Sequence, residues 1–125
     1  MSTIKVTNLQ DTSGGNSSTS EQIAQGRAKA WINFDGTSGS IGSGRDSFNV
    51  TSVTDNGTGK YTINFTNDMA NANYAVVISS NMSASNSNAA YERIESISTS
   101  DVAIRVIHSG AFQDTSIVCA AVFGD

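Results

Sequence analysis

Leu9 is the only leucine in this chain, and that single fact removes most helical architectures from consideration. Helix interiors draw on Ala, Leu, Glu, Lys and Gln. Ser, Thr and Asn instead compete for backbone hydrogen bonds, and Val, Ile, Thr and Tyr suit a pleated sheet. The chain is rich in the latter two groups and in Gly, and only 14% of its residues are charged. Its surface must therefore be built from hydroxyls and amides more than from ion pairs. Such surfaces recur in extracellular fibres, capsids and carbohydrate-facing proteins. A length of 125 residues suits one domain.

The pattern of apolar residues has the period of strands. In 27–34, Ala28, Ala30, Ile32 and Phe34 fall on one face and Lys29, Trp31 and Asn33 on the other. A glycine-rich stretch at 35–44 breaks the pattern. In 45–54, Phe48 and Val50 are in phase and Val53 is out of phase, which predicts a bulge or a strand ending near Thr51. The sequence DNGTG at 55–59 follows, and Asn-Gly supplies the positive φ angles of a tight hairpin. After it Tyr61, Ile63 and Phe65 share a face, so an antiparallel hairpin across 45–66 is expected. The segment 74–78 is apolar on both faces and belongs inside a core or against another subunit. Eight of the twelve residues of 79–90 are Ser or Asn, the composition of a long exposed loop. Three further strands are expected in YERIESIS, DVAIRVIH and TSIVCAAVF. About seven strands with no helical pattern between them predict an all-β fold, an antiparallel sandwich occupying 26–125.

Residues 1–25 read as a leader or docking segment. Stretch 10–20 has no apolar side chain and carries Gly14-Gly15, so it is expected to be an extended linker. The run SEQIAQG offers Ser20 as an N-cap, one or two helical turns and Gly26 as a stop.

Charge and side-chain chemistry exclude several functions. The net charge is −4 and the seven cations are scattered, which argues against nucleic acid as a partner. No apolar run reaches the length of a membrane span, and the N-terminus lacks the apolar core of a signal peptide, so no membrane insertion or secretion is expected. The N-x-[ST] triplets at Asn16, Asn49, Asn56, Asn64 and Asn81 are then chance matches. Enzyme chemistry lacks its parts. His108 is the only histidine and is read as a polar side chain at a sheet rim, so neither a multi-histidine metal site nor a nucleophilic triad assembles readily, and no cofactor is expected. Glu92 and Glu95 could pair as acids only if a bulge brought them to one face. Cys119, on a face with Ile117, Ala121 and Phe123, is expected to be a buried structural thiol. Trp31 is expected to pack in a core or subunit interface, with a sugar platform as the other use of a lone Trp.

Five segments carry a family resemblance: Lys29–Phe34 (KAWINF), Arg45–Val50 (RDSFNV), Asp55–Gly59 (DNGTG), Tyr61–Phe65 (YTINF) and Asn73–Val77 (NYAVV). Over about residues 26–78 the chain resembles the C-terminal domain of tail-fibre proteins of short-tailed phages. Family members often carry a Pro after the Y-T-x-N-F strand, where this chain has Met69-Ala70-Asn71. The resemblance implies a virion structural protein, a fibre or fibre-tip domain that attaches to the host surface. It also implies a homotrimer, with the leader docking on other virion proteins. The alternative is a capsid or tail decoration protein, or an adaptor, with no external ligand. A free sugar-binding lectin is a third reading without a specific motif. Receptor contact with a host glycan or protein is expected at Asn81, Ser85, Asn86, Asn88 and Tyr91, and at the hairpin residue Asn56.

Overall fold

The structure, a computed structural model, describes residues 1–81 and 90–124. The leader comes first: β1 (Asn8–Leu9) pairs antiparallel with β2 (Ser18–Thr19), and α1 (Ser20–Gly26) follows directly. The expectation of an extended linker is corrected by Asp11, whose carboxylate folds the stretch back on itself. It accepts the Ser13 and Gly15 N–H groups at 3.0 and 2.8 Å and the Asn16 amide at 3.1 Å. The N-cap of α1 is Thr19, one residue before the expected Ser20. Thr19 and Gln22 form a reciprocal capping box, which a Ser at 20 with Ile at 23 could not supply. No residue before Ala30 is buried.

The remainder is a two-layer sandwich. One sheet has four strands in the order β4 (Asp46–Phe48), β3 (Ala30–Phe34), β11 (Val118–Phe123), β7 (Ala75–Ser80). The other is built on β9 (Asp101–His108). On one flank β9 pairs with β8 (Ala90–Ile97). On the other it pairs with β6 (Lys60–Phe65) and, further along, with β10 (Ala111–Phe112). The outer strand β5 (Val50–Asp55) completes this sheet against β6. All these pairings are antiparallel, as the sequence reading expects. The described strands outnumber the predicted seven because of short pieces that periodicity cannot detect.

The core lies between the sheets. Ala30, Ile32, Phe34, Val118, Ala120 and Val122 come from one layer, and Val50, Val53, Tyr61, Ile63, Phe65, Val102, Ile104 and Val106 from the other. Phe34 and Tyr61 meet edge to face across it, 5.1 Å between centroids. At one end the Tyr61 hydroxyl donates to Asp114 Oδ1 at 2.7 Å. At the other, Tyr74 shares its hydroxyl proton between the carbonyls of Ser98 and Asp101, at 2.8 and 2.9 Å.

The predicted hairpin exists across Val50–Phe65 but not from residue 45. Asn49 sits at φ 56°, in the left-handed region, and sends the chain from one sheet to the other, so Asp46–Phe48 pairs with β3 instead. Phe48, expected in phase with Val50, consequently faces solvent, while Val50 and Val53 are both buried across a register shift between Val50 and Ser52. In DNGTG the left-handed residues are Gly57 and Gly59, and Asn56 to Lys60 forms a wider loop closed by the Asn56 N–H to Lys60 O bond of 2.8 Å. Strand β7 is not central. It is an edge strand, with Val76 and Ile78 toward the core and Ala75 and Val77 exposed.

Candidate functional site

Strand direction divides the sandwich into two ends. β3 begins at Ala30 beside the leader. At this end also lie Asn49, the β6–β7 connection at 66–74, the β8–β9 turn at 98–100, and the end of β11 at Phe123. The opposite end carries the 56–59 hairpin tip, the end of β7 at Ser80, the start of β8, and the segment 109–117. Asn56, Asn81 and Tyr91 all lie at this second end, away from the leader. Ser85, Asn86 and Asn88 lie outside the described residues.

The local chemistry of the three differs. The Asn81 amide is committed to the fold: its Oδ1 accepts the Ile117 N–H at 2.7 Å and its Nδ2 donates to Ser116 Oγ at 3.0 Å. Asn56 is exposed, and its Nδ2 donates to Thr62 Oγ1 at 2.9 Å. Tyr91 is exposed on the outer face of the five-stranded sheet. The hairpin tip is held rigidly. Gly59 has φ 64° and donates its N–H to Asp114 Oδ1 at 2.7 Å, and a Cβ there would lie 2.5 Å from the Val106 carbonyl oxygen.

Around Tyr91 the register assembles a surface. Tyr91, Ile107 and Phe112 form one row across β8, β9 and β10, and Arg93, Arg105 and Lys60 form the adjacent row across β8, β9 and β6. Directly paired residues share a face, and residues two apart on a strand share it too, so both rows look outward together. The Lys60 ammonium stands 4.7 Å from the Phe112 ring centroid. Glu95 occupies a bulge between Ile94 and Ser96 and pairs with Arg105. Burial, and after it the neighbouring Arg93 charge, lowers the Arg105 pKa. The bulge also returns Ile97 to the core side, opposite Val102.

Other candidates from the sequence are placed differently from expectation. Glu92 pairs with Val106 on the inner side and accepts Ser80 Oγ at 2.5 Å, so it does not share a face with Glu95. His108 ends its strand but is only 2% exposed, and its Nε2 has no hydrogen-bond partner among the described residues. The rim reading fails because the inward alternation of Val102, Ile104 and Val106 continues to it. Cys119 is not a buried thiol: it lies half-exposed on the outer face of the four-stranded sheet, where it receives a 3.4 Å contact from Asn33 Nδ2. Val118, Ala120 and Val122 took the inner face that a core cysteine would need. Trp31 is on the same outer face, which excludes the core and leaves the subunit interface of its two expected packings. There Phe48, Trp31, Ala121 and Val77 stand in one row across all four strands, and a shallow groove of about 260 Å³ runs beside Trp31, Val77 and Cys119.

Sequence reasoning did not single out Lys60, Arg93, Arg105 or Phe112. Alternation in YERIES and VAIRVIH marks the faces within each strand, but only the pairing register reveals that the cations stand side by side. Among the described residues no helix is long and apolar enough to cross a membrane. Comparison with protein-family models, curated proteins and solved structures gave no match.

Proposed function

We propose that the chain is a virion structural protein, the tip domain of a phage tail fibre, which attaches the particle to a host surface. The observation that carries this reading is polarity: the leader enters at one end of the sandwich, and Asn56, Asn81 and Tyr91 lie at the other. A domain tethered by its leader to other virion proteins would hold those residues away from the particle. The tail-fibre resemblance of segments 29–34, 45–50, 55–59, 61–65 and 73–77 supports the same reading.

The same reading includes a homotrimer. Its support is the outer face of the four-stranded sheet, where the Phe48–Trp31–Ala121–Val77 row is exposed, Val77 to 60% and Phe48 to 54%. A contiguous apolar row on a sheet face is costly to leave in water and is suited to burial against further copies. The second reading, a decoration or adaptor protein without an external ligand, uses this face against a different virion protein.

Deleting residues 1–26 tests the attachment role of the leader. The truncated chain is expected to fold with an unchanged thermal transition, because no residue before Ala30 is buried, and to be lost from assembled particles. Normal incorporation of the truncated chain would contradict the role.

A further inference from the structure

We propose that the outer face of the five-stranded sheet, around Tyr91, Arg93, Arg105, Lys60 and Phe112, binds an acidic saccharide. The inference rests on the attachment reading for where such a saccharide is met, and on the face alone for its chemistry.

Like charges directly opposite on neighbouring strands destabilise a sheet, yet Arg93, Arg105 and Lys60 stand in one row over three strands. Among the described residues one carboxylate, Glu95, answers them, and it is held by Arg105. Arg93 has no ion-pair partner among the described residues. In a chain with only seven cations and a net charge of −4, three cations in one row are not a general feature of the surface. An anionic group placed over the row would relieve the repulsion and accept charge-assisted hydrogen bonds from the exposed Arg93 guanidinium, while Arg105, bonded to the Ile104 carbonyl and Glu95, adds its charge from beneath.

The adjoining row supplies the rest of a sugar site. Tyr91 and Phe112 flank the buried Ile107 about 10 Å apart, two strand spacings; Tyr91 presents its ring to solvent, and Phe112 carries the Lys60 ammonium over its ring, so an anionic sugar reaching Lys60 meets both aromatics. Aromatic faces stack on the C–H faces of sugar rings, and the exposed Asn56 amide, which donates to the half-exposed Thr62 hydroxyl, lies beside Lys60 with its oxygen left for a sugar hydroxyl. The two rows are about 7 Å apart, which places an anionic substituent over the cations when the ring rests on the aromatics. Nucleic acid fits less well. Its dense phosphates would meet the long-range repulsion of a net negative chain, whereas a saccharide with a few charges spaced one to a ring is held mainly by short-range contacts.

The experiment is a titration of the full chain, followed by amide NMR shifts and calorimetry, with trigalacturonate, its neutral methyl ester, and a thymidine oligonucleotide of equal charge. The expected result is that trigalacturonate binds, shifts amides of β8, β9 and β10, and binds about tenfold more tightly than the ester. Arg93→Gln, at an exposed position, should retain the thermal transition and weaken trigalacturonate about tenfold while leaving the ester unchanged. Phe112→Ala should weaken both sugars. No binding at millimolar concentration, equal binding of acid and ester, or binding unaffected by both substitutions would overturn the inference. Tighter binding of the oligonucleotide would overturn it in favour of nucleic acid. Binding as expected by a protein that is absent from virions would support this inference and defeat the attachment reading, so the two failures are separable.

Discussion

At the scale of single residues, the fold depends most on polar side chains placed where the backbone changes direction. Asn49 is the clearest. Its Nδ2 donates to the carbonyls of Lys29 and Asn67 at 3.1 Å each, and its Oδ1 accepts the Asn67 N–H at 2.8 Å, while its own backbone is left-handed. Asn tolerates that conformation better than other residues with a Cβ. Asn49→Ala should therefore cost about 2–4 kcal/mol in denaturant unfolding, and Asn49→Gly should cost less because it loses the bonds without the strain. An alanine variant as stable as the parent would contradict this account. Tyr74 gives a second test. Burial, and then the Asp101 charge, push its phenol up to about 12 from 10.0, and Tyr61 is raised in the same direction by burial and Asp114. Above pH 10 the unfolded chain releases these protons and the folded chain keeps them. Their contribution is complete below pH 10 and falls as pH rises toward 12, by up to about 1.4 kcal/mol per pH unit for each tyrosine. Equilibrium unfolding between pH 9 and 12 checks this, and Tyr74→Phe should flatten the alkaline slope while lowering stability at pH 7 by about 1 kcal/mol.

At the scale of elements, alternation was legible and pairing was not. The inward sets Ala30–Ile32–Phe34 and Tyr61–Ile63–Phe65 are as the sequence predicts, because a strand with one buried face must alternate. Phe48 misleads because one left-handed residue, Asn49, reverses the phase, and nothing in RDSFNV distinguishes that from a continuous strand. The segment 74–78 offers two readings, inside a core or against another subunit, and its edge position removes the first, because an apolar edge strand reads the same as a central one. Of the candidate site, Asn56 and Tyr91 were legible as exposed polar or aromatic positions near turns. The cation row was not, since it depends on which residues of β6, β8 and β9 face each other. Strand β8 supplies an element-scale prediction. Deleting Glu95 takes out the extra residue and leaves Ser96 opposite Ala103 and Ile97 opposite Val102 on their present faces, so the deletion should cost only the partner of Arg105 and the reconnection of the strand, about 1–2 kcal/mol. Glu95→Gln keeps the bulge and should cost about 1 kcal/mol or less. Thermal unfolding of the two variants checks the order.

The whole molecule joins a leader with no buried residue, a sandwich with one apolar outer face, and an end opposite the leader that bears aromatic and cationic side chains. The proposed three-copy assembly predicts a particle of about three times the 13.0 kDa chain mass in light scattering at micromolar concentration. Val77→Asp, on the exposed apolar row, should dissociate it with little change to the fold of the single chain. A wild-type monomer would remove the trimer. The central claim, that the chain stands at the tip of a tail fibre, is tested most directly by imaging virions labelled with gold-conjugated antibody raised against the purified chain. Gold is expected at the distal ends of the tail appendages; gold on the capsid surface, or none on the particle, would overturn the proposal.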